Sequence, residues 1–223
     1  MKDKAKIILA LDVGNLKKAK YFVHKLYPEI KIFKVGLQLF SIGGPEIVKF
    51  VQNKGAEVFL DLKFFDIPNT VANAVTAAVQ LKVKMFTLHI SGGEEMLKAA
   101  VKAAKEASRC LKLKKPLLIG VTVLTSKKAS PQAVLELAKK GLHCGLDGVV
   151  CSAREAAFLR GKIKKNFIIV TPGIRPKDAK AGDQKRTATV AEAIQSGSNF
   201  LVIGRPILEA ADPLRAAKEI IKQ

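Results

Sequence analysis

Short apolar runs punctuate the chain at regular intervals, and between them hydrophobic positions recur every three or four residues. The runs IILALDV, IFKVGL, EVFLDLK, MFTLHI, LLIGVTVL, GVVCSA, FIIVTPG and FLVIGR are brief, rich in β-branched residues and bounded by turn formers, so they read as strands. The intervening stretches NLKKAKYFVHKLY, GPEIVKFVQNK, IPNTVANAVTAAVQLK, GEEMLKAAVKAAKEAS, SPQAVLELAKKGLHC, AREAAFLRGK, TVAEAIQSG and LEAADPLRAAKEIIK carry helical periodicity. Eight strands and eight helices in strict alternation predict an α/β protein with a closed parallel sheet, a (β/α)8 TIM barrel, with residues 1–223 forming a single domain. An open doubly wound sheet would also alternate. Its nucleotide signatures are absent, since neither GxGxxG follows the first strand nor GxxxxGK[ST] occurs anywhere.

Composition narrows the class. Hydrophobic residues make up 48% of the 223 and charged residues 26%, a globular balance, and no apolar run approaches the length of a bilayer span. We therefore expect a soluble protein with no membrane partner. The basic start MKDKAKIILALDVG has a short apolar part that runs directly into Asp12, which suits a first strand and not a signal peptide. Cys110, Cys144 and Cys151 are odd in number and lack ligand spacing, so neither a disulfide framework nor a zinc site is expected, and the compartment should be reducing and cytoplasmic. The formal charge of +20 is the one extreme value. It raises the question of a polyanionic partner, but the lysines are spread along helical segments. With no tryptophan and two tyrosines there is little to stack on bases. The expectation is no nucleic acid, and a wet basic surface that attracts a small anionic substrate.

In a barrel of this kind the site lies where the strands end, and the residues closing the runs are polar: Asp12, Lys34, Asp61 with Lys63, His89, Thr122 with Thr125, Ser152, Pro172 with Arg175, and Arg205. Plainer roles exist for several. Asp12 could cap the helix starting near Asn15, Thr125 and Ser126 could form a turn, and His89 could sit satisfied in the interior, with no second ligand at metal spacing. No metal is expected.

The charges on the third strand ask for more. Strand periodicity puts Glu57, Phe59, Asp61 and Lys63 on one face, so Asp61 and Lys63 enter the barrel mouth together. Unpaired ions there would cost several kcal/mol each. Lys34 of the second strand supplies a partner, giving a row of alternating signs through Lys34, Asp61, Lys63 and Asp66. Carboxylates around two lysines favour the ammonium form, which suits Lys63 as a general acid toward an electron-rich carbon and disfavours a Schiff-base role. A substrate carboxylate near Asp61 would meet a like charge that loss of carbon dioxide relieves. At the other end, TPGIRPKDAKAGDQKRTATV and FLVIGRPI bring Arg175, Gln184, Gly204 and Arg205 to the seventh and eighth loops, the usual phosphate site of such barrels.

These residues resemble the orotidine 5'-monophosphate decarboxylase family in its bacterial form. The likeness runs the whole chain through ALDV, FKVG, FLDLKFFDIPNT, VTVLTS, TPGIRP, AGDQKR and IGRPI, and the DxKxxDIPNT signature is its most specific part. The resemblance implies a cofactor-free, metal-free homodimer that converts orotidine 5'-monophosphate to uridine 5'-monophosphate and carbon dioxide in de novo pyrimidine synthesis. It implies Lys63 as proton donor within the network of Lys34, Asp61 and Asp66, with Asp66, Ile67 and Thr70 serving the partner subunit's site. Asp12 and Lys34 would hold the ribose hydroxyls, Thr125 and Pro172 would line the pyrimidine pocket, and Arg175, Gln184, Gly204 and Arg205 would gather the phosphate. Phe65 departs from the histidine that many bacterial members carry. The rival is a magnesium-dependent sugar-phosphate decarboxylase or synthase of the same superfamily, which shares DxKxxD but has a metal-binding glutamate where this chain has Lys34.

Overall fold

The computed structural model describes residues 5–124, 127, 129–175 and 187–223. Parallel ladders join β1 (Lys6–Ala10), β2 (Ile32–Gly36), β3 (Glu57–Phe64), β4 (Met85–His89), β5 (Leu117–Val121), β6 (Gly148–Val150), β7 (Ile168–Thr171) and β8 (Phe200–Ile203) in sequence order. β8 pairs back onto β1, with Ile8 opposite Val202, so the sheet closes into the expected TIM barrel. The apolar runs are longer than the strands they contain. Their last residues, such as Asp12 and Pro172, leave the ladder and face the mouth.

Helices α1 (Leu16–Leu26), α2 (Leu37–Asn53), α3 (Pro68–Gln80), α4 (Gly93–Cys110), α5 (Pro131–His143), α6 (Ala153–Lys162), α7 (Val190–Gln195), α8 (Arg205–Leu208) and α9 (Pro213–Lys222) follow the strands. Their starts are written in the sequence. Asn15, Ser130 and Asp212 accept first-turn N–H groups, and Ser152 with Glu155 and Thr189 with Glu192 form reciprocal capping boxes. Two helices differ from expectation. α2 begins at Leu37, well before the Gly-Pro pair at which the sequence pattern starts it; its chain kinks at Gly44, where φ is 46°, because glycine tolerates that conformation and Pro45 cannot donate back. The last helical stretch splits into α8 and α9, since Asp212 caps a new helix with Pro213 in its first turn.

Apolar residues pack in two places. One cluster, including Ile8, Ile32, Phe59, Met85, Ile119 and Phe200, fills the barrel interior; the larger one lies between the barrel and its helices. The interior plug forms a floor for whatever binds above it. Among the described residues no helix is long and apolar enough to cross a membrane.

Candidate active site

A cavity of about 960 Å3 opens above that floor at the C-terminal ends of the strands. Asp12, Lys34, Asp61, Lys63, Pro172, Arg175, Gly204 and Arg205 all line it. Thr125 and Gln184 lie outside the described residues. Asp66, Ile67 and Thr70 do not line this cavity. They are exposed beside it, with the Asp66 carboxylate accepting the Ile67 N–H at 2.6 Å.

The charges of the first three strands form one chain. Lys34, centred in β2 and buried, donates to Asp12 Oδ1 at 2.9 Å and lies 3.5 Å from Asp61 Oδ2. Lys63 Nζ donates to Asp61 Oδ1 at 2.9 Å. A methyl group on Gly36 would come within 3.1 Å of Lys34 Nζ and 3.6 Å of Asp12 Oδ1, so the bare backbone there leaves room for the pair. Asp61 is subject to opposing influences. Burial raises its pKa, but attraction to Lys34 and Lys63, with hydrogen bonds from Lys63 and Thr87, outweighs burial and holds it below the usual carboxylate range.

Simple alternation does not fully describe β3. Leu60 pairs with Phe86 and Phe64 with Leu88, so the register slips between them, and Lys63 takes a left-handed backbone with φ of 52°. Asp61 and Lys63 do reach the same cavity, as the shared face predicts, but a bulge helps to bring them there. The fully buried Thr87 of β4 sits against this bulge. Its hydroxyl accepts the Lys63 N–H at 2.9 Å and donates to Asp61 Oδ1 at 2.9 Å. The sequence reading missed Thr87, although a polar residue between Met85 and His89 on the inward face of MFTLH was the available signal.

His89 is half-buried at the end of β4, with the Phe65 ring edge-on at 5.7 Å. Burial first, then the neighbouring Lys63, lowers its pKa, which favours a neutral ring. Among the described residues no group of three or more His, Cys, Asp or Glu side chains could hold a metal ion.

Across the cavity, Arg175 follows β7, its backbone N–H donating to Ala188 O at 2.9 Å. Among the described residues its buried Nε has no hydrogen-bond partner. With Arg205 lining the same space, this end offers guanidinium donors to an anion. The opposite end offers an ammonium group beside a held carboxylate, which suits proton delivery to a developing carbanion.

The family model for orotidine 5'-phosphate decarboxylase / HUMPS proteins matches residues 5–220. An orotidine 5'-phosphate decarboxylase of Coxiella burnetii is 46% identical over 228 aligned positions, covering 97% of this chain and 95% of the relative. One of Vibrio atlanticus is 47% identical, covering 96% of each. The crystal structure of orotidine 5'-phosphate decarboxylase from Lactobacillus acidophilus superposes with a TM-score of 0.85 at 36% identity, covering 98% of both chains. With a family match along almost its entire length and named relatives at this identity, the chain belongs to the orotidine 5'-phosphate decarboxylase / HUMPS family and is a decarboxylase of that family.

Proposed function

We propose that this protein decarboxylates orotidine 5'-monophosphate to uridine 5'-monophosphate and carbon dioxide in pyrimidine synthesis, as one barrel domain working in the cytoplasm. The observation that carries the reading is the ion-pair chain Asp12, Lys34, Asp61, Lys63 at the mouth of a cavity whose far side holds Arg175 and Arg205. The phosphate would engage Arg175, Gln184, Gly204 and Arg205, the ribose hydroxyls Asp12 and Lys34, and the pyrimidine Thr125 and Pro172. That pose sets the substrate carboxylate near Asp61, whose depressed pKa keeps it anionic. The bond from C6 to the carboxyl carbon breaks, carbon dioxide leaves, and the electron pair stays on C6. The Lys63 ammonium stabilises that charge and passes a proton to C6, and the resulting amine is reprotonated from solvent.

No metal is required in this scheme. Lys34 Nζ stands 2.9 Å from one carboxylate and 3.5 Å from the other, filling with fixed positive charge the place where a divalent ion would bind. We further propose a homodimer in which Asp66, Ile67 and Thr70 complete the partner's site. Supporting this, Leu37 and Ile42 of α2 and Phe65 and Ile67 of the connection after β3 are large exposed hydrophobics, the kind of side chain a second copy covers.

The test is to follow the ultraviolet absorbance of orotidine 5'-monophosphate with purified protein and chelator. Steady conversion is expected; no change sinks the reading, and a magnesium requirement would favour the sugar-phosphate rival. For the shared site, mixing inactive Lys63→Ala and Asp66→Ala subunits should restore activity, because each hybrid holds one site free of both defects. No recovery despite verified exchange places Asp66 in its own subunit's site.

A further inference from the structure

The β3 bulge leaves one N–H without a ladder partner at the position that matters most. In a regular pairing the backbone of Lys63 would bond to β4; here the register slips between Leu60 and Phe64, and the Lys63 N–H is taken by the Thr87 hydroxyl instead. Having accepted that bond, the hydroxyl has its own proton left to give. It gives it to Asp61 Oδ1, the same oxygen that Lys63 Nζ holds. Thr87 is wholly buried, so water cannot substitute for either bond.

We propose that Thr87 is a positioning residue for the charge network, fixing with one hydroxyl both the left-handed backbone of Lys63 and the carboxylate of Asp61. The inference rests on reading Lys63 as the proton donor. Thr87 itself lies outside the residues lining the cavity and acts through the two charges. A lysine at φ of 52° is disfavoured by the crowding of its Cβ, so something outside its own side chain has to hold it. The buried hydroxyl supplies that restraint. The groups facing Asp61 are Lys34 from β2, Lys63 from β3, and Thr87 with His89 from β4.

The test compares Thr87→Val, which keeps the shape and removes the hydroxyl, with Thr87→Ser, which keeps the hydroxyl. Steady-state kinetics with orotidine 5'-monophosphate should show the Val variant losing on the order of ten- to a hundredfold in kcat, the worth of a hydrogen bond to a charged group, with KM within about threefold. The Ser variant should stay within about threefold of wild type in both. The acidic limb of the kcat/KM profile should move to higher pH in the Val variant, because the Asp61 anion loses a donor; a residue that only fills space would leave that limb in place. If Thr87→Val does not fold, Thr87→Cys, a weak donor of similar size, should show the same split. An active wild type with a Val or Cys variant whose kcat is unchanged overturns the positioning role alone, as does a Ser variant as impaired as Val. A wild type that leaves the nucleotide untouched overturns the decarboxylase reading, and this inference with it.

Discussion

Asp12, Lys34, Asp61 and Lys63 form an unbroken chain of ion pairs at 2.9–3.5 Å across the ends of three strands, whereas Arg175, on the far side of the barrel, carries a buried Nε with no hydrogen-bond partner among the described residues. The first group is already tied to the sheet and to Thr87. Charges held this way need little reorganisation when a carbanion forms beside them. Arg175 Nε has no acceptor among the described residues, and a buried donor left unmade costs about 1–3 kcal/mol. An anion arriving there recovers that cost and adds charge-assisted bonds of its own. In the function proposed above, one end serves the transition state and the other capture.

Substitutions that strike only one end can break this division. The largest effect is expected from Lys63→Ala, which removes both the proposed proton donor and a fixed cation. Turnover should fall about ten-thousandfold or more, while product affinity, read by calorimetry with uridine 5'-monophosphate, changes far less. Equal losses of turnover and affinity would show that the strand end also does the gripping. Arg175→Ala should act in the opposite sense, raising KM by roughly ten- to a hundredfold with a smaller change in kcat.

A pH profile sharpens the contrast further. Asp61 has its pKa depressed in the folded protein, so kcat/KM should hold steady as pH falls through the ordinary carboxylate range and drop only below it. The same shift governs folding. A carboxylate whose folded pKa lies below its unfolded one contributes stability that is fully present above the unfolded value and is lost as pH falls through the folded value, so melting temperature should start to decline in the ordinary carboxylate range, before kcat/KM does, and keep falling until the folded value is passed. The smallest effect concerns the net charge of +20. Added salt should lower kcat/KM severalfold by screening attraction of the anionic substrate, and leave kcat alone.

Much of this was legible in the chain itself. The eight strands are legible because buried parallel strands are continuous apolar runs, and the strand-end charges because burying them unpaired would be costly. Lys34 follows as the needed partner of Asp61. What stays hidden has physical reasons. Nothing in FLDLKFFD marks a bulge, since the residue with positive φ is a lysine where glycine would have signalled it. The first turns of α2 precede a Gly-Pro pair that reads as a helix start. Thr87 looks like any threonine in a strand until the slipped register sets it between Asp61 and Lys63. Asp66, Ile67 and Thr70 lie outside the cavity of their own chain, and the proposed crossing between subunits rests on family resemblance alone.

The left-handed backbone at Lys63 also sets two selections against each other. Adopting that conformation costs a residue with a Cβ about 1–2 kcal/mol, a cost that glycine escapes. A library randomised at position 63 and sorted for resistance to heat or protease should enrich glycine there. The same library grown where cells must make their own pyrimidines should return lysine.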